Sequence, residues 1–89
     1  MTRREVVISN RLGLHARAAA RFVHTAARYE SRVTASRDGR VMDGKSILGI
    51  LLLGASRGTT IEIAAEGRDE REAVEALVAL VESRFGEES

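Results

Sequence analysis

The sequence predicts an α+β fold, a two-layer sandwich in which a four-stranded antiparallel sheet is covered on one face by three helices in the order βαββαβα. Three observations carry this expectation. Short β-branched runs alternate apolar and polar residues with period two. Three other windows repeat apolar residues at helical spacing. The dipeptide Asp38-Gly39, preferred in tight hairpins, joins two of the short runs into an antiparallel pair. Because the strands are apolar on one side only, the second face of the sheet is expected to be wet.

Taken in order, "REVVIS" (Arg4–Ser9) reads as a strand closed by the turn sequence "NRLG". From Ala16 to about Tyr29, the residues Ala19, Phe22, Val23, Ala26 and Ala27 recur on one helical stripe, with Arg17, Arg21 and Arg28 between them. "SRVTASRDGRVMD" holds the hairpin, with Val33 and Ala35 turned to the core. "GKSILGILLLGA" predicts a short helix capped by Ser46 and ended near Gly54. "TTIEIAAE" is a strand with Ile61, Ile63 and Ala65 facing inward. "GRDEREAVEALVALVESRFG" is the strongest helix. Its first turn carries Asp69, Glu70 and Glu72, its last carries Arg84, and Val74, Leu77, Val78, Val81 and Phe85 form the buried stripe. No linker, repeat or proline interrupts the chain, so residues 1–89 are expected to form one domain around a single core.

Composition narrows the function classes. A hydrophobic share of 44% with 30% charged residues belongs to a folded chain, not a disordered one. The absence of cysteine excludes disulfides and thiolate metal sites. "MTRREVV" lacks an apolar leader and no apolar run is long enough to span a bilayer, which predicts a cytoplasmic protein without membrane insertion. The net charge of +1 hides an asymmetry. Residues 1–45 hold ten Lys and Arg against four Asp and Glu, a balance of +6, and residues 46–89 hold four against nine, a balance of −5. Such a field suits an acidic partner surface or a phosphate, although a solvated face would look the same.

The chemistry concentrates in "LGLHARAAARF". Gly13 can take the positive φ of a sharp strand-to-helix turn. His15 then stands at the helix start, where the amides of Ala16 and Arg17 and the positive end of the dipole make an anion site. The same helix end disfavours a protonated ring, which leaves the imidazole nucleophilic. Arg17 adds a planar guanidinium that can grip phosphate oxygens. A plain helix cap would need neither the preceding glycine nor the run of arginines. His24, the second histidine, is expected on the helix surface at the edge of the site. No Ser-His-Asp set, zinc spacing or phosphate-binding glycine loop can be assembled, and "GKS" at residues 44–46 lacks the upstream glycine of a P-loop, so no cofactor or metal is expected.

The short second helix is apolar almost all round. Ile50 and Leu53 are expected in the core, which leaves Ile47, Leu48 and Leu51 as an apolar cluster rimmed by Lys45 and the arginines of the first helix. Equally, all of these leucines could be core.

"GLHARAAARF", "GKSILGILLLGASRGTTIEIAAEG" and "DEREAVEALVALV" closely resemble the HPr family, the histidine-containing phosphocarriers of the bacterial phosphoenolpyruvate-dependent phosphotransferase system. The resemblance spans nearly the whole chain and implies an open-faced β-sandwich. It implies that His15 is phosphorylated on Nδ1 by enzyme I and passes the group to an enzyme II-type acceptor, as a phosphoryl-transfer intermediate rather than an independent enzyme. It assigns Arg17 to phosphate stabilisation and Ser46 to regulatory phosphorylation by HPr kinase/phosphorylase. Partner docking is expected to use Arg21, His24, Ile47, Leu48 and Leu51, on a monomer. One departure is Ala18, where the family usually has proline; alanine suits a helical first turn, so no loss of function is expected. "NRLGLHAR" and the alanine-rich helix also look like the nitrogen-related branch, whose phosphate serves regulation rather than sugar uptake. The alternative is a non-catalytic protein-binding or RNA-binding module of the same architecture. Aromatic residues make up only 3% of the chain, which leaves little to stack on bases and argues against nucleic acid.

Overall fold

Alternation along the strands becomes a sheet with one dry face. The structure, a computed structural model, describes residues 1–88. Its elements are β1 (Thr2–Val7), α1 (Ala16–Ala26), β2 (Arg32–Arg37), β3 (Arg40–Asp43), α2 (Ile47–Leu53), β4 (Thr60–Glu66) and α3 (Glu70–Glu82), followed by a 3₁₀ turn, Arg84–Gly86. The strand order is β1-β4-β2-β3 and every pairing is antiparallel. Val6, Val33, Ala35, Ile61, Ile63 and Ala65 point into the core. There they meet Phe22 of α1, Ile50 and Leu53 of α2, and Val74, Leu77, Val78 and Val81 of α3. The expected order, layers and wet face are those observed.

Element ends differ where pairing partners decide them. β1 begins two residues earlier than its β-branched run, because its register with β4 runs from Thr2 opposite Ala65 to Val7 opposite Thr60. α1 closes at Ala26 rather than near Tyr29. Arg28 and Tyr29 donate to carbonyls three residues back, a tightening typical of helix ends, and Lys45 Nζ takes the Tyr29 carbonyl at 2.7 Å. Asp69 does not cap α3 with its side chain. Its carboxylate instead accepts from the Glu30 and Ser31 amides and the Ser31 hydroxyl, pinning the turn between α1 and β2. Glu70 accepts from the Thr2 hydroxyl and the Gly67 amide, and these bonds, with the nearby terminal ammonium, pull its carboxyl down to about 2.

The largest departure is at the end of α3. The helix stops at Glu82, so neither Arg84 nor Phe85 lies on it. Both adopt left-handed backbone, with φ of 58° and 57°. That conformation is costly for a bulky residue, roughly 1–3 kcal/mol each. Phe85 nevertheless reaches the core and is 1% exposed, a burial that offsets the strain by about 2–3 kcal/mol. The Arg21 guanidinium donates to the Phe85 carbonyl and braces the turn. The chain is thereby sent back across the N-terminus of α1.

Candidate functional site

The turn before α1 is built from Asn10 to Leu14. Gly13 has φ +66°, and a Cβ there would lie 2.7 Å from the Ala55 carbonyl oxygen and 2.8 Å from Ser56 Cα. Glycine is therefore required twice, for its conformation and for its close approach to the α2–β4 loop. The Leu14 amide donates to the Ala55 carbonyl at 2.9 Å, which seats the turn on that loop. Asn10 is fully buried, and its amide nitrogen donates to the Gly13 carbonyl at 2.7 Å.

His15 is the N-cap of α1, with extended backbone and its Nδ1 accepting the Arg17 amide at 3.3 Å. An acceptor Nδ1 on a neutral ring places the proton on Nε2. That nitrogen lies 2.6 Å from Glu87 Oε2. The other carboxylate oxygen, Oε1, accepts from Asn10 Nδ2 at 3.2 Å. Both partners of the Asn10 nitrogen are acceptors, which identifies it as the NH₂ end of the amide. Burial pushes the Glu87 carboxyl up, but the hydrogen bonds from His15 and Asn10 and the nearby charge of Arg17 outweigh it. The group is held below the usual carboxylate range.

An open depression of about 600 Å³ surrounds the ring, walled by Arg11, Leu12, Ala16, Arg17, Glu87 and Glu88. The candidate residues Ala16 and Arg17 are thus beside His15, and both are exposed. One expectation is modified: the Arg17 amide is not free but is taken up by the ring. No hydrogen bond among the described residues holds the Arg17 guanidinium. Arg21 faces the C-terminal turn, and His24 lies exposed further along α1. Ser46 caps α2, its Oγ accepting the Gly49 amide at 3.0 Å. Ile50 and Leu53 are buried, whereas Ile47, Leu48 and Leu51 are exposed, as is Leu52. α1 and α2 pack on each other, so this apolar surface adjoins the basic helix.

Glu87 and Asn10 escaped the sequence reading. Asn10 had a local signal, its place in a turn sequence, but nothing marked its side chain as buried. Glu87 had none, since it is 72 residues from the histidine it touches.

Comparison with known proteins agrees with this geometry. Residues 2–83 match the family model described as the PTS HPr component phosphorylation site. The phosphocarrier protein HPr of Cupriavidus necator is 47% identical over 87 residues, covering 98% of each chain. That of Pseudomonas aeruginosa is 48% identical over 84 residues, covering 93% of each. A crystal structure of HPr from Thermoanaerobacter tengcongensis superposes with a TM-score of 0.96 at 47% identity, with all of both chains covered. A four-stranded antiparallel sheet under three helices, a capping histidine at the head of the first, and likeness over nearly the full length converge: the chain belongs to the HPr family of phosphocarrier proteins.

Proposed function

We propose that this chain, acting as one phosphocarrier unit, accepts a phosphoryl group on His15 Nδ1 from phosphorylated enzyme I and delivers it to an enzyme II-type acceptor in sugar or nitrogen metabolism. The carrying observation is the direction of Nδ1, which turns its lone pair toward the N-terminal amides of α1. In the transfer, that lone pair bonds to phosphorus while the donor's bond to phosphorus breaks and its electron pair leaves with the donor. The Arg17 amide then meets phosphoryl oxygen, and the helix dipole favours the new charge. Incubation with phosphoenolpyruvate and enzyme I, followed by intact-mass measurement, should show one added phosphoryl group that is lost in acid. No gain in mass would leave the chain a pure binding module.

Arg17 acts as an electrostatic clamp whose unheld guanidinium can swing onto the phosphoryl group. Arg17→Lys keeps the charge but loses the planar fork, so transfer should slow by roughly tenfold with the melting temperature unchanged. Equal rates for the parent, Arg17→Lys and Arg17→Ala would remove the clamp.

Docking draws on Arg21, His24 and the Ile47, Leu48 and Leu51 surface, an apolar centre beside a basic rim. Ser46 lies at the edge of that surface and is the regulatory site, the substrate of an HPr kinase/phosphorylase. Its phosphate would bring about −1.5 to −2 charges to the cap of α2, where the helix end tolerates them and an acidic partner does not. Ser46→Asp should therefore keep its stability and accept phosphate several-fold more slowly. Ser46→Ala should lose about 1 kcal/mol of stability with transfer intact. Parent-rate acceptance by Ser46→Asp would reduce Ser46 to a cap.

A further inference from the structure

We infer that Glu87, held in place by Asn10, is a positioning residue that keeps the His15 proton on Nε2 and steadies the positive ring created by phosphoryl acceptance. This rests on His15 as the acceptor, and it adds a group that neither the motif around His15 nor the chain up to residue 83 contains.

The ring has two nitrogens, and only a lone pair on Nδ1 can attack from the helix side. Glu87 Oε2, 2.6 Å from Nε2, offers a charged acceptor to a proton on that nitrogen and so disfavours the tautomer that would block Nδ1. The carboxylate cannot easily swing away. Its second oxygen is tied to Asn10, whose own position is set by burial and by the Gly13 carbonyl. Glu87 is itself well covered, with 14% of its side chain exposed.

The electron count gives the carboxylate a second task. Nδ1 carries no proton, so none has to leave when the bond to phosphorus forms. The proton on Nε2 stays, and the ring becomes cationic. Glu87 faces that proton and stabilises the charge as it develops, the division of labour seen where a buried carboxylate backs a catalytic histidine. In delivery, the acceptor attacks phosphorus, the N–P electron pair returns to Nδ1, and the ring leaves as neutral imidazole. A cationic ring is the better leaving group, so the same contact serves both directions.

The chain invests backbone strain in making this contact. Without the left-handed pair Arg84 and Phe85, and the Arg21 brace, the last residues would continue along α3 away from the site. The opposing charges near the ring are Arg11 and Arg17, with Glu88 as the second acid, and none of these three is hydrogen-bonded to it through its side chain.

The test compares the parent with Glu87→Gln and Glu87→Ala in the full chain, using two readouts. The first is the long-range ¹H–¹⁵N spectrum of the neutral His15 ring, which reports the nitrogen that carries the proton. The second is the rate of phosphoryl acceptance from phosphorylated enzyme I. The parent ring should be protonated on Nε2. Glu87→Gln keeps an acceptor oxygen without the charge, so it should retain that tautomer while accepting roughly tenfold more slowly. Glu87→Ala should show both tautomers and a larger loss. A parent ring protonated on Nδ1, a parent-like ring in Glu87→Ala, or acceptance within twofold of the parent in both variants would overturn the assignment. A parent that takes up no phosphate would defeat the acceptor reading instead, and the ring spectra would still decide the role of Glu87.

Discussion

His15→Ala should take up no phosphoryl group from phosphorylated enzyme I, yet melt within several degrees of the parent. The loss is total because the substitution removes the nitrogen whose lone pair accepts the Arg17 amide at the start of α1. The fold survives because His15 contributes only a helix cap and one hydrogen bond to Glu87, and its side chain is 26% exposed. Losing a cap costs about 1 kcal/mol, a shift of roughly 4–8 °C in a chain of this length. His15→Asn separates the two roles. Asparagine is a favoured N-cap, so this variant should regain stability while remaining unlabelled. His24→Ala should label at the parent rate, since His24 is exposed on α1 away from the helix start. Full labelling of His15→Ala through His24 would end the assignment.

Gly13→Ala should be among the most damaging single methyl additions in the chain. The added Cβ would sit 2.7 Å from a backbone oxygen of the neighbouring loop, at a φ of +66° that alanine rarely adopts. Conformational strain and the forced shift together should cost about 2–4 kcal/mol, on the order of 10–25 °C in melting temperature. Gly39 supplies the control. Its φ is +80°, but a Cβ there would meet nothing within 4 Å, so Gly39→Ala carries the conformational cost alone, about 1 kcal/mol. The difference between the two variants measures the seating of the histidine turn on Ala55. Because that seating aims His15, Gly13→Ala should also accept phosphate more slowly at temperatures where it remains folded. A melting temperature near that of Gly39→Ala would show that the loop yields freely.

Periodicity was sufficient for the architecture. Alternation in "TTIEIAAE" identified the strand that proves central to the sheet, and the spacing of Val74, Leu77, Val78 and Val81 identified the covering face of α3. The short helix was harder, since its residues are apolar almost all round. The division of Ile50 and Leu53 from Ile47, Leu48 and Leu51 followed from the limit that one side of a helix can face one sheet. Leu52 has no assignment from sequence for the same reason: a continuous apolar run carries no stripe to read.

By itself the sequence determined the element order, the sheet's dry and wet faces, the helix start at His15 and the cap at Ser46. All of these are local, since a strand face, a helical stripe or a cap depends on neighbours a few residues away. Only the tertiary structure decided what stands behind the histidine. Phe85 continues the apolar spacing of α3, which predicts helix to the end of that segment. In the folded chain, Phe85 joins the buried core at the cost of two left-handed residues, and that turn carries Glu87 to Nε2. No periodicity encodes a contact across 72 residues. It arises from chain closure, where burial of one aromatic ring outweighs local backbone preference.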